Sequence, residues 1–153
     1  MKLTPLALSA SLLFGAAVAT TPATAAPGAR PFLWDNATVY FLLTDRFNSA
    51  SKANDLAYGR KADAAPLRGY MGGDLAGITA KIKAGYFDQL GVNVIWLTPP
   101  VEQIHAGTDE GTGKSYGFHG YWARDFTSIE ANVGTERDMR QLVETAHAHG
   151  IRV

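Results

Sequence analysis

Two apolar runs stand out along the chain, Val39-Tyr40-Phe41-Leu42-Leu43-Thr44 and Val92-Asn93-Val94-Ile95-Trp96-Leu97-Thr98, each bounded by polar and turn-forming residues. Runs rich in β-branched and aromatic side chains, without alternation, predict strands buried on both faces, the habit of a parallel sheet. Between them, Ile78, Ile82, Tyr86 and Leu90 recur every four residues. Lys81 and Lys83 fall on other faces and Gly91 is a stop signal, so the spacing predicts one helix over 74–90. A second helix starts at Thr135 as N-cap with Asp138 three residues on. Its apolar stripe is Met139, Leu142, Val143 and Ala146, and it runs up to Gly150, after which 151–153 opens a third strand. The order strand, helix, strand, helix, strand predicts an α/β fold with a parallel sheet or barrel. Two long connections, 45–73 and 99–134, leave the C-terminal ends of the first two strands without a sustained period. In a parallel barrel, connections of that kind form the catalytic face.

The first residues belong to a different pattern. Lys2 precedes an apolar run over 6–18 and the small residues Ala23-Thr24-Ala25, which predicts a secretory signal peptide over 1–25, with Ala19 as a competing cleavage site. A run this short does not cross the ~30 Å hydrocarbon core. The expected destination is the periplasm or the medium. A Pro/Gly-rich leader follows over 26–35.

Charge and cysteine content narrow the partners. Fourteen basic residues balance fourteen acidic ones, so no global field favours nucleic acid or an anionic membrane, and the expected partner is neutral. With no cysteine in the sequence, disulfide and thiol chemistry are excluded, which leaves core packing and a metal as sources of stability for an exported domain. No segment after the leader is apolar enough to span a bilayer.

Candidate chemistry concentrates in the second long connection. Within Gly117-Phe118-His119-Gly120-Tyr121-Trp122-Ala123-Arg124-Asp125-Phe126, aromatic faces suit the C–H-rich side of a pyranose, and a histidine can hydrogen-bond a hydroxyl. The first connection offers Asn48, Ser49, Ser51, Asn54, Asp55, the Gly72 carbonyl and Asp74, an oxygen-rich set of the kind calcium prefers. Arg124 and Asp125 read as a charge pair fixing the loop, and Asp45 with Arg46 as a buried structural pair. Glu102, His105 and Asp109 fit no ligand spacing and read as part of a Gly-rich rim with Gly107, Gly111 and Gly113.

Taken in order, Val39-Tyr40-Phe41-Leu42-Leu43-Thr44-Asp45-Arg46-Phe47, Gly72-Gly73-Asp74-Leu75-Ala76-Gly77-Ile78, Leu90 to Pro99, the His119 to Phe126 block and Gly134-Thr135 resemble the start of the α-amylase family of glycoside hydrolases, which includes amylases and cyclodextrin glucanotransferases. The resemblance implies that 36–153 is the N-terminal portion of a (β/α)8 TIM barrel, with strands one to three and helices one and two. It also implies action on α-1,4-linked glucans with retention of configuration through two carboxylates. By that resemblance Tyr121 stacks on a sugar ring, His119 hydrogen-bonds its primary hydroxyl and Trp122 lines the same wall. The ligand is then a starch-like α-glucan or maltooligosaccharide, with no nucleic acid and no membrane after signal cleavage.

The family's catalytic carboxylates sit on strands four, five and seven, so no catalytic residue is expected within 1–153, and this stretch is expected to be inert alone. Glucanotransferase-like relatives hold calcium in the first connection, where Asn54, Asp55, Gly72 and Asp74 match and Ser49 and Ser51 depart from the pattern. Hydrolysis is the leading expectation. Transfer to cyclic or branched glucans, or glucan binding without turnover, are the alternatives.

Overall fold

A computed structural model describes residues 32–153; the expected signal peptide and the start of the leader lie outside the described residues. The first apolar run forms strand β1 (Val39–Leu42), and the second forms β2 (Val94–Leu97). They pair in parallel with Val39 opposite Val94 and Leu42 opposite Leu97. On the other side of β2, Arg152 makes a parallel bridge to Val94, and its carbonyl accepts Ile95 N at 2.7 Å. The third strand expected from Ile151 onward therefore starts where the pattern placed it. Leu43 and Thr44 do not extend β1, because Leu43 is the N-cap of a single-turn helix α1 (Thr44–Phe47).

The helix expected over 74–90 is two helices. Asp74 caps α2 (Leu75–Lys83) by accepting Gly77 N at 2.5 Å. Gly85 then adopts a left-handed φ of 72° and starts α3 (Tyr86–Gln89). A helix cannot pass through that conformation, which glycine tolerates without a Cβ penalty. Ile78 and Ile82 are fully buried as the four-residue spacing demands, whereas Leu90, past the break, is 52% exposed. The last helix, α4 (Glu136–Ala148), opens with a reciprocal capping box between Thr135 and Asp138, as the sequence indicates.

Leu42, Ile95 and Leu97 pack with Leu75, Ile78, Ile82, Phe87, Leu142, Ala146 and Ile151 in one core between the strands and helices α2, α3 and α4. Only one face of the strands is covered in this way. Val39, Phe41 and Trp96 on the other face are 49%, 48% and 61% exposed, and Phe41 and Trp96 meet edge to face at 5.5 Å. Among the described residues, the strands are thus covered by helices on one face, not on the two that the apolar runs predict, although Val94 on the Trp96 face is buried. Side chains alternate across a strand, and the described helices lie against one side only.

The stretch 99–134 is not an open loop. Short strand β3 (Val101–Gln103) pairs antiparallel with β6 (Ala123–Ile129), with register shifts on either side of Glu102. Between them β4 (Thr108–Asp109) and β5 (Lys114–Ser115) make a small hairpin. This arrangement hangs from the C-terminal end of β2 and carries the candidate sugar-binding residues. Among the described residues, no helix is long and apolar enough to cross a membrane.

Candidate functional site

β2 is followed by Thr98, whose buried hydroxyl accepts Thr44 N at 3.1 Å, and Pro99-Pro100 then stop the ladder. Gly120 lies against that end with φ of 86°, where a Cβ would stand 2.5 Å from the Pro99 carbonyl oxygen. Gly120 N also donates to Gly117 O at 3.0 Å, closing a turn that presents His119 and Tyr121 side by side. Only glycine fits this close approach at that backbone angle.

The residues predicted to contact sugar come together. The His119 and Tyr121 rings lie nearly parallel with centroids 5.9 Å apart, and Trp122 meets His119 edge on at 4.8 Å. Tyr121 is 60% exposed, so the cluster offers an aromatic surface to solvent. His119 Nδ1 accepts Tyr121 N at 3.0 Å, which assigns the ring proton to Nε2 and leaves that nitrogen as a donor. Burial holds the imidazole below its ordinary pKa, so the neutral donor form is the one the fold favours.

Behind this wall sits Arg46. Its guanidinium lies 3.9 Å from the Phe118 ring centroid and donates to Leu67 O at 3.1 Å and Gly69 O at 2.8 Å. Asp45, 1% exposed, is paired to Arg46 Nε at 3.1 Å and accepts Met71 N and Gly72 N. Burial pushes its carboxyl up to about 6, against the pull of Met71 N–H and the Arg46 charge. Both residues are tied to protein partners, as the sequence reading expected. Arg124 and Asp125 are not a pair fixing each other. Arg124 reaches His105 Nδ1 at 3.2 Å, and its Nε stands 3.7 Å from Glu102 Oε1. Asp125 turns to Thr127 N, Thr127 Oγ1 and Ser128 Oγ. Successive strand residues face opposite ways, which separates them. Glu102 and His105 do meet, at 2.7 Å, while Asp109 caps a turn at Gly111 N. No group of three or more carboxylates and histidines suited to a metal occurs among the described residues.

The oxygen-rich first connection divides into used and unused ligands. Asp74, the α2 cap, also accepts Ala50 N at 3.2 Å and Ser51 N at 2.9 Å, so its carboxylate is already occupied by backbone donors. Asn54 Oδ1 and Asp55 Oδ1 are buried without any hydrogen-bond partner. Gly72, with φ of 88°, leaves room there, since a Cβ on it would stand 2.7 Å from Asp55 Oδ1. Two orphaned hard oxygens beside a glycine fit a hard cation; buried polar atoms otherwise find partners.

A buried polar cluster that no sequence pattern announced joins the two connections. Arg60 Nη1 donates to Glu130 Oε1 at 2.6 Å and to Asn132 Oδ1, with side chains 1% and 2% exposed for the Arg60–Glu130 pair. Asn132 in turn donates to Asp55 O at 2.6 Å, and Asn54 Nδ2 donates to Asn132 O at 2.9 Å. Glu130 Oε2 accepts Gln103 N at 2.9 Å, and Gln103 Oε1 accepts Trp122 N at 2.7 Å. The candidate cation loop and the aromatic wall thus share one scaffold.

Comparison with known proteins gives this geometry its context. Residues 41–153 match the family profile described as alpha amylase, catalytic domain. The periplasmic alpha-amylase of Escherichia coli (strain K12) is 48% identical over 127 residues, which is 80% of this chain and 18% of that protein. The cyclomaltodextrin glucanotransferase of Bacillus sp. (strain 1011) is 38% identical over 158 residues, covering 100% of this chain and 22% of its own. Among solved structures, the cyclomaltodextrin glucanotransferase CldA aligns with a TM-score of 0.68 at 36% identity, over 75% of this chain and 24% of that one. The alpha-amylase from Geobacillus thermoleovorans, complexed with acarbose, aligns with a TM-score of 0.58 at 34% identity, over 77% and 22%. The chain spans about a fifth of the length of the curated relatives it matches.

Proposed function

Because this chain belongs to the α-amylase family, as the match over 41–153 shows, we propose that His119, Tyr121 and Trp122 hold an α-1,4-linked glucan in the cleft of a full-length enzyme that hydrolyses it. The supporting observation is the cluster itself. An exposed phenol lies beside a neutral imidazole whose Nε2–H is free to donate, with an indole on the same wall. The ring of Tyr121 covers the apolar face of a glucose unit, and His119 donates to a hydroxyl. Together they hold the sugar near its reactive geometry. The reaction proposed is a double displacement with retention, in which one carboxylate attacks the anomeric carbon while a carboxylic acid protonates the leaving oxygen. By family resemblance those carboxylates lie on later strands of the barrel. This chain's own residues bind and orient.

Tyr121→Ala in the full-length protein tests the reading. Truncating a buried aromatic contact is worth about 1.5–3 kcal/mol, so the dissociation constant for maltoheptaose is expected to rise about ten- to a hundredfold. Unchanged affinity and turnover would end the proposal. Relatives named cyclomaltodextrin glucanotransferase, which match this chain over its whole length, favour transfer as the second reading. Chromatography of the products distinguishes the two, because hydrolysis yields linear maltooligosaccharides and transfer yields cyclic ones. The similarity to a periplasmic relative, together with the apolar run and small-residue site at the N-terminus, supports export.

Calcium is the proposed cofactor. Asn54 and Asp55 would hold it through their orphaned oxygens, with the Gly72 carbonyl and Asp74 at the edge of the set. Bound there, it would supply positive charge that ties 54–55 to the start of α2. Titrating calcium while following thermal unfolding is expected to raise the midpoint, since a ligand at a hundred times its dissociation constant stabilises by about 2.7 kcal/mol. Asp55→Ala should abolish that rise. An equal rise in the variant would place the ion elsewhere.

A further inference from the structure

Gln103 closes β3 and is 1% exposed, yet it contributes nothing to the aromatic surface offered to sugar. Its amide instead joins two backbone segments. Nε2 donates to Val101 O at 2.7 Å, and Oε1 accepts Trp122 N at 2.7 Å. The register of β3 against β6 shifts between Glu102 and Gln103, and a bulge of that kind interrupts the ladder that would otherwise pair nearby amides. A side chain takes the place of that missing backbone acceptor. The same residue touches the other end of the wall, because a Cβ on Gly117 would stand 3.0 Å from Gln103 Cβ and 3.3 Å from its Oε1. One buried amide therefore meets both Gly117 and Trp122, which flank His119 and Tyr121 on either side.

The amide is itself held from below. Gln103 N donates to Glu130 Oε2 at 2.9 Å, and Glu130 is paired with Arg60, whose Nη2 reaches Gln103 O at 3.4 Å. Rigid support of this kind is what a binding surface needs if its aromatic ring is to meet a ligand at one angle, because side chains that orient a contact must themselves be locked by packing and hydrogen bonds.

We propose that Gln103 is the positioning residue of the sugar-binding wall, fixing the backbone of 117–122 so that Tyr121 meets the glucan in a single orientation. The inference rests on the reading of His119, Tyr121 and Trp122 as the glucan contact. Gln103→Met keeps volume and removes both hydrogen bonds. In the full-length protein it is expected to raise the KM and dissociation constant for maltoheptaose about tenfold while kcat changes less than about twofold, the mark of lost uniform binding. Combined with Tyr121→Ala, it should add less than about a twofold further loss, because the two substitutions disable one device. A merely structural role would give penalties that multiply, and that outcome overturns the proposal. So does wild-type affinity in Gln103→Met when Tyr121→Ala alone weakens binding, a result that leaves the glucan reading intact. If Tyr121→Ala weakens nothing, the glucan reading fails and this inference with it. Should Gln103→Met fail to fold, Gly117→Ala carries the same decision from the other end of the turn, with an expected loss of about threefold that vanishes in the Tyr121→Ala background.

Discussion

Replacing Arg60 with methionine is expected to cost about 3–5 kcal/mol of stability, because it leaves the Glu130 carboxylate buried without its counter-charge. The guanidinium sits in a closed setting. Its two terminal nitrogens reach both Glu130 oxygens at 2.6 and 3.0 Å and the Ile104 carbonyl at 3.1 Å, and the rings of Tyr58 and Tyr70 stand 4.9 and 4.6 Å from it. Glu130 spends its remaining capacity on Gln103 N and Asn132 N. Two charges taken out of water recover that loss chiefly through each other, so deleting one leaves the desolvation penalty of the other largely uncompensated. The double variant Arg60→Met with Glu130→Leu should therefore be more stable than Arg60→Met alone. Urea denaturation of the full-length protein reads both. A single variant with an unchanged midpoint, or a double variant less stable than the single, would contradict the account.

Gly77→Ala is expected to destabilise by about 3 kcal/mol, the upper part of the usual range for overpacking, at a helix-interior position where the same exchange ordinarily gains up to about 1 kcal/mol. The reason is a chain crossing. Asn48 passes over the first turn of α2, its carbonyl accepting Asp74 N at 3.0 Å and its side chain donating to Gly77 O at 3.3 Å. A Cβ on Gly77 would stand 1.9 Å from the Asn48 carbonyl oxygen and 2.6 Å from its carbon. Backbone atoms cannot swing aside as a side-chain tip can, so α2 or the 48–51 segment must move. That segment also donates Ala50 N and Ser51 N to Asp74, and the substitution loosens these bonds as well. Thermal unfolding of the variant settles the sign, and a midpoint at or above that of the parent would show that the crossing yields.

What the sequence disclosed and what it hid divide along a physical line. The capping box at Thr135 and Asp138 was legible because both partners lie within one turn and the bonds are local. The parallel pairing of β1 with β2 was legible because continuous apolar runs around a helical crossover admit few topologies. The break at Gly85 was not, since a spacing of four runs through Tyr86 and Leu90 as smoothly as through Ile78 and Ile82. β6 stayed hidden because Ala123–Ile129 is mostly polar and buries none of its residues fully, so no apolar alternation marks it. The aromatic wall could be read because its chemistry is contiguous over 119–122. Gln103, Arg60 and Glu130 could not, because Arg60 and Glu130 meet across 70 residues and Gln103 reaches Trp122 across 19. Pairs of that kind leave no period and no motif.

The parallel strands also set how freely the chain can change length. Thr38 N finds Asn93 Oδ1 across 55 residues, against 19 for the Gln103 clip. Closure entropy rises only with the logarithm of ring size, so the larger ring costs roughly 1 kcal/mol more than the smaller, and even doubling it would add about 0.6 kcal/mol. The segment 61–66, between Arg60 and the carbonyls of Leu67 and Gly69 that Arg46 grips, lies inside that larger ring. Residues can be inserted or removed there at little entropic penalty for closing the ring, and the cost falls instead on the ties of Asp63 and Ala65 to Lys114 and Tyr116, while the 119–122 cluster keeps its own clip at Gln103.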